Sequence, residues 1–155
     1  MNTVTIPGWG TLQIRHIVLD LNGTITESGE FIPGVLDALR NLHRKGYSVF
    51  VLSADTRRNL KERLGRFPEI GVRITETGQA KRALVESLGP ESTICIGNGN
   101  IDVDMFKVAR LSICTIQGEG ATVEALTHAD IVVTHVKDAI ELVHDEQRLI
   151  ATLRR

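Results

Sequence analysis

The sequence predicts an α/β protein of the three-layer, Rossmann-like kind: a parallel sheet with helices on both faces. Three observations carry this. Apolar, strand-like runs alternate with amphipathic stretches along most of the chain. The runs are apolar nearly throughout rather than at every second residue, the mark of strands covered on both faces. The stretches between them repeat as strand–helix units, which build parallel sheets through right-handed crossovers.

In order, the chain opens with TVTIPGWGTLQI (3–14), where Pro7-Gly8-Trp9-Gly10 separates two short extended runs and predicts a β-hairpin with Trp9 at its tip. Trp9 there reads as packing or as a contact surface. The run HIVLD (16–20) is followed by PGVLDALRNLHRKG (33–46), in which Val35, Leu36, Leu39 and Leu42 recur at helical spacing between Pro33 and Gly46. YSVFVLS (47–53) precedes a basic helical stretch, TRRNLKERLG (56–65), in which Arg57, Arg58, Lys61, Arg63 and the nearby Arg66 read as a solvated face, with a contact for an anionic substrate as the alternative. GVRIT (71–75) precedes GQAKRALVESLG (78–89), and TICIG (93–97) precedes IDVDMFKVAR (101–110). LSICTI (111–116) leads to GATVEALTHA (120–129), and IVVT (131–134) to a last helix near 137–153. With no repeat or linker in sight, residues 1–155 form one predicted domain: hairpin 3–14, core 16–135 and C-terminal helix 137–155.

Composition sets the outer limits. The 155 residues are 42% hydrophobic and 24% charged, ordinary values for a globular protein. A formal net charge of −1 gives no basic field for nucleic acid. No apolar run reaches the roughly 20 residues needed to span a bilayer, and the N-terminus shows no signal-peptide pattern. Cys95 and Cys114 lie in apolar runs and read as two buried, reduced thiols, so the expected location is the cytoplasm. His16, His43, His128, His135 and His144 fit no zinc spacing. GNGNID resembles the start of a dinucleotide fingerprint, but lacks the third glycine and follows the wrong strand.

In an open parallel sheet, ligands bind beyond the carboxyl ends of the strands. At those ends the first core strand presents Asp20-Leu21-Asn22-Gly23-Thr24. The second presents Ser53-Ala54-Asp55. The fourth presents Gly97-Asn98-Gly99-Asn100 and then Asp102, and Lys81 starts the helix after the third. A carboxylate can attack phosphorus and carry the phosphoryl group covalently. The phosphoryl oxygens then need cations and donors, which a lysine, a hydroxyl and magnesium on oxygen ligands supply.

Four pieces in this order, HIVLDLNGT, VFVLS, the lysine of GQAKRALVESLG and ICIGNGNIDVDMF, resemble the haloacid dehalogenase (HAD) superfamily of phosphohydrolases over about residues 16–135. The chain resembles in particular the small soluble P-type ATPase-like subgroup, which pairs an N-G-T turn with a GNG loop. The resemblance implies a HAD-like hydrolase acting on a phosphorylated substrate. Asp20 would be the nucleophile and a metal ligand, joined on magnesium by the Asn22 carbonyl, Asn98 and Asp102. Ser53, Ala54 and Lys81 would hold the phosphoryl group, with Gly23 permitting the turn and Thr24 orienting the phosphate.

Three departures from that family bear on activity. Asn22 stands where many members have the aspartate that shuttles protons, and an amide cannot do so. General acid–base help is worth about 10² to 10⁴ in rate, so alkyl phosphates are expected to turn over slowly. P-type ATPases similarly lack that acid, and their leaving group needs little protonation. Asp55 is a candidate substitute acid. Asn98 replaces a metal-binding aspartate, so magnesium is expected to bind weakly. About 28 residues separate Thr24 from Ser53, and about 27 separate Ser53 from Lys81, too few for a cap domain. The site is therefore open, save for a short flap at 25–34, and implies a large substrate or a homo-oligomer whose neighbour covers it, with the hairpin 3–14 as a candidate contact. The alternative reading is a weakly catalytic phosphate- or nucleotide-binding regulatory module.

Overall fold

A computed structural model describes residues 3–54 and 59–155; Asp55, Arg57 and Arg58 lie outside the described residues. Six parallel strands form the central sheet: β3 (His16–Asp20), β6 (Ser48–Ser53), β7 (Ile70–Ile74), β8 (Thr93–Gly97), β9 (Leu111–Thr115) and β10 (Ile131–Val133), in spatial order β10-β9-β8-β3-β6-β7. From β3 the chain winds outward through β6 to β7. It then returns to the other side of β3 and winds out again through β8, β9 and β10. The order reverses between β3 and β8, which makes the carboxyl end of β3 the switch point where crossovers diverge and a crevice opens.

Alternation along the strands divides the core in two. Ile17 and Leu19 of β3, Val49 and Val51 of β6, and Ile94 and Ile96 of β8 pack on one face with α1 (Val35–Arg44) and α6 (Val136–His144). Val18, Leu52 and Cys95 face the opposite side, with α3 (Gly78–Leu88), α4 (Val103–Val108) and α5 (Val123–His128). Both faces are apolar, which explains the unbroken hydrophobicity of the strands. Asp20, two residues after Val18, belongs in register to the α3–α4 face. Cys95 and Cys114 are buried free thiols, both raised above the usual thiol range by burial first and Asp102 second.

The N-terminal hairpin forms as predicted, from β1 (Val4–Ile6) and β2 (Gly10–Leu12). It packs on its own chain. Val4, Ile6 and Leu12 are core residues, Arg110 stacks over the Trp9 ring at 4.3 Å and donates to the Thr11 carbonyl at 2.9 Å, and the Arg155 amide donates to the Pro7 carbonyl at 2.9 Å. Arg110 precedes β9, so the hairpin sits at the amino ends of the strands, away from the switch point.

The flap also becomes a small hairpin, β4 (Thr26–Glu27) and β5 (Glu30–Phe31). Ser28 at its tip takes a positive φ of 52°. The basic stretch forms only a short helix among the described residues, α2 (Asn59–Arg63). Within it Arg63 does more than face water: its guanidinium lies 4.4 Å over the Phe31 ring and donates to the Gly29 carbonyl at 2.8 Å. The predicted C-terminal helix is two helices, α6 and α7 (Glu146–Leu153). They break at Asp145, which is extended and caps α7 by accepting from the Gln147 amide at 3.0 Å. Among the described residues no helix is long and apolar enough to cross a membrane.

Candidate active site

The crevice at the tip of β3 is lined by Asp20, Asn22, Ala54, Lys81, Asn98, Gly99 and Ile101. Its floor is an ion triad. The Lys81 ammonium donates to Asp20 Oδ1 at 2.6 Å and to Asp102 Oδ1 at 2.7 Å. Lys81 and Asp102 are buried completely, and Asp20 is 8% exposed. Ionic groups so placed must be paired to be tolerated.

Each member is fixed by the fold. Lys81 lies in the first turn of α3, whose N-terminus is capped by Thr77 accepting from the Ala80 amide at 3.0 Å. Asp102 ends a 3-10 turn over Asn100–Asp102 that follows β8 directly. Its second oxygen accepts the Asn98 and Gly99 amides at 2.9 and 3.0 Å. Gly97 makes room for it: a Cβ there would come within 2.5 Å of the Asp102 carboxyl. The glycine thus serves close approach, not a special φ.

Burial first, and then the nearby Asp102 charge, push the Asp20 carboxyl up to about 6, against the opposing pull of Lys81. Burial works to lower the lysine, but Asp102 and Asp20 together outweigh it and hold the ammonium above its usual range. Lys81 therefore stays charged near neutrality, and Asp20 is ionised there at some cost.

The DLNGT segment turns tightly over Leu21. The Leu21 carbonyl accepts the Ile25 and Thr26 amides, both at 3.1 Å, and the Thr26 hydroxyl at 3.2 Å. Gly23 takes φ 77°, open to glycine at little cost, and the Asn98 side chain occupies the space a Cβ would need. Asn22 is exposed at the rim. Thr24 is fully buried and its hydroxyl donates to Asn98 Oδ1 at 3.3 Å. Asn98 Nδ2 in turn donates to the Gly120 carbonyl at 3.1 Å. Ser53, at the tip of β6, is buried at 1% exposure, and Ala54 is the residue of that pair that lines the crevice.

The predicted residues thus divide. Asp20, Asn22, Ala54, Lys81 and Asn98 meet at the crevice. Gly23, Thr24, Ser53 and Asp102 support it from behind. Sequence reasoning passed over Gln117, after the tip of β9, whose side-chain amide donates to the Gly23 and Thr24 carbonyls at 3.2 and 2.9 Å. Its signal in the sequence is its place, directly after the apolar run LSICTI (111–116), as Asn98 directly follows TICIG (93–97).

Among the described residues no three His, Cys, Asp or Glu gather as a metal cage. The donors at hand are all hard oxygens: the Asp20 carboxylate, with Asn22 and Asn98 at the rim. That set suits magnesium, which commonly takes one or two carboxylates and completes its shell with water and substrate phosphate. The two Asp102 oxygens are already engaged by protein donors.

The site is thus a carboxylate–lysine pair at the switch point of a six-stranded parallel sheet. The model of the haloacid dehalogenase-like hydrolases matches residues 17–88, and the chain is HAD-like in that stretch and in its fold. Two relatives come from Methanocaldococcus jannaschii. An uncharacterized protein is 43% identical over 79 residues, covering 48% of this chain and 85% of that one. A soluble P-type ATPase-like phosphatase is 29% identical over 141 residues, 87% of this chain; the match spans only 51% of that protein. Among solved structures, the cobalt-bound deoxy-D-mannose-octulosonate 8-phosphate phosphatase of Haemophilus influenzae superposes with a TM-score of 0.72 at 16% identity, covering 92% of this chain and 94% of that one. The corresponding phosphatase of Moraxella catarrhalis, in complex with magnesium, phosphate and the sugar acid, gives 0.70 at 16%, covering 91% and 94%. These two likenesses are of fold.

Proposed function

We propose that the chain is a phosphohydrolase or phosphotransferase that works through an aspartyl phosphate on Asp20 and is slow on alkyl phosphates. The observation that carries this is the Lys81 ammonium 2.6 Å from Asp20 at the switch point. In the first step an Asp20 oxygen attacks phosphorus, the bond from phosphorus to the leaving oxygen breaks, and that oxygen departs with the electron pair. In the second, water attacks the phosphorus of the aspartyl phosphate, the bond to Asp20 breaks, and orthophosphate leaves. Lys81, charged throughout, offers fixed positive charge beside the nucleophile, and Asp102 holds it in place. Magnesium, when bound by Asp20, the Asn22 carbonyl and Asn98, supplies charge against the phosphoryl oxygens.

Neither step has a proton shuttle among the described residues at the rim. Asn22 can donate to the phosphoryl group but cannot protonate a leaving alkoxide or deprotonate water. The substrates this site suits are acyl, aryl or nucleotide phosphates, whose leaving groups are weak bases. Among relatives, the M. jannaschii phosphatase carries the P-type ATPase-like description, and the M. catarrhalis neighbour binds magnesium and phosphate; both fit this reading.

The second reading, a phosphate-binding regulatory module, draws on the two neutral side chains at the rim, Asn22 and Asn98. Phosphate release from acetyl phosphate and p-nitrophenyl phosphate, with and without magnesium, separates the two. Turnover lost in Asp20→Asn supports the enzyme, and saturable phosphate binding without release supports the module. Asn22→Asp is expected to raise turnover of an alkyl phosphate by about 10²-fold. An unchanged rate with metal bound would show that proton transfer is not what limits it. Sedimentation of the protein with and without a phosphate analogue tests the further proposal that a neighbouring copy covers the open crevice.

A further inference from the structure

We propose that Gln117 is a positioning residue that locks the nucleophile turn into its working shape; this rests on the phosphotransfer reading of Asp20. Gln117 follows β9 and reaches in two directions. Its Nε2 donates to the Gly23 carbonyl at 3.2 Å and the Thr24 carbonyl at 2.9 Å. Its Oε1 accepts the Val136 amide at 2.8 Å, the first N–H of α6, which has no partner within that helix. Only this orientation of the side-chain amide serves all three backbone groups, because two are acceptors and one is a donor.

The turn needs such a lock. Gly23 sits at φ 77°, and glycine populates either sign of φ freely. Each peptide unit is planar, so holding the Gly23 and Thr24 carbonyls toward Gln117 fixes the direction of the following N–H groups as well. Asp20 is held by the β3 ladder, so what the clamp fixes is the turn beyond it, from Gly23 onward, against which Asn22 stands at the rim. The clamp joins the nucleophile turn to the loop after β9 and the start of α6, in parallel with the Thr24–Asn98–Gly120 chain, which ends in the same loop.

Two variants split the halves of this contact. Gln117→Glu keeps an acceptor for the Val136 amide but loses the donor to the turn. Gln117→Lys keeps a donor to the turn but leaves the Val136 amide without its acceptor. The expected result for Gln117→Glu is a kcat lower by about ten- to a hundredfold, with KM little changed, and faster amide exchange over 21–26 with the sheet unaffected. Gln117→Lys is expected to recover most of kcat. A residue that merely capped α6 would give the reverse ranking, and that ranking overturns the proposal, as does Gln117→Glu with wild-type kcat and wild-type exchange in the turn. If the unaltered protein turns over none of the phosphates, the phosphotransfer reading fails. Exchange over 21–26 then decides the clamp alone: faster exchange in Gln117→Glu upholds it, and unchanged exchange ends it.

Discussion

Asp20 is buried at the tip of β3 with its carboxyl raised from 3.8 to about 6, by burial first and Asp102 second. That shift couples the site to stability. A raised carboxyl contributes stability that is fully present below 3.8 and is lost as the pH rises through about 6. The metal-free protein therefore spends part of its stability near neutrality on keeping Asp20 ionised. Asp20→Asn, whose amide oxygen can still accept from Lys81, is expected to be more stable than the unaltered protein at pH 7, by about 1–3 kcal/mol at 1.36 kcal/mol per pKa unit, and so to melt higher. The difference should vanish near pH 4. Equal melting temperatures at both pH values in chelator would refute the linkage. Lys81→Met should act in the opposite direction. It leaves Asp102 with no cation and costs about 3–5 kcal/mol at pH 7, as urea unfolding would measure.

Much at the level of elements was legible in the sequence, for reasons visible in particular residues. The doubly covered strands betrayed themselves because Ile17 to Leu19 and Ile94 to Ile96 must be apolar on both faces. The strand tips followed from those boundaries, so Asp20, Lys81 and Asn98 could be named before any contact was seen. Three features could not be read. The break at Asp145 carries no glycine or proline, and only its capping of Gln147 marks it. The burial of Thr24 and Asp102 behind the rim depends on long-range partners, Asn98 and Lys81. The flap hairpin is held by the stacking of Arg63 on Phe31, across 32 positions of sequence. One element-level prediction follows from the Thr77 cap on α3. Thr77→Ala should cost about 1 kcal/mol and frays the turn that bears Lys81, so turnover should fall more than stability implies. Parallel thermal melts and initial rates would reveal a purely global effect if the two losses match.

Across the whole molecule, the switch point gathers three ionic side chains, Asp20, Lys81 and Asp102, whose charges sum to −1 when all are ionised. One of the two carboxylates is spent on positioning the lysine, and Asn98 adds an oxygen without charge. On the phosphotransfer proposal, magnesium would meet too little anionic oxygen here to bind tightly by itself. A phosphoryl group would supply what is missing, and magnesium would in turn offset the repulsion between that group and Asp20. The two ligands should therefore bind cooperatively, with a coupling of about 1–3 kcal/mol. Because each ligand that binds the folded state raises stability by RT ln(1 + [L]/Kd), the coupling can be read from melting temperatures. Magnesium alone and orthovanadate alone are expected to give small shifts, and the two together a shift larger than their sum. Asn98→Asp should enlarge the response to magnesium alone and shrink the coupling, since the protein would then provide the charge itself. Additive shifts in the unaltered protein, or a full response to magnesium without vanadate, would place the metal on the protein alone and remove the link between its binding and that of the substrate.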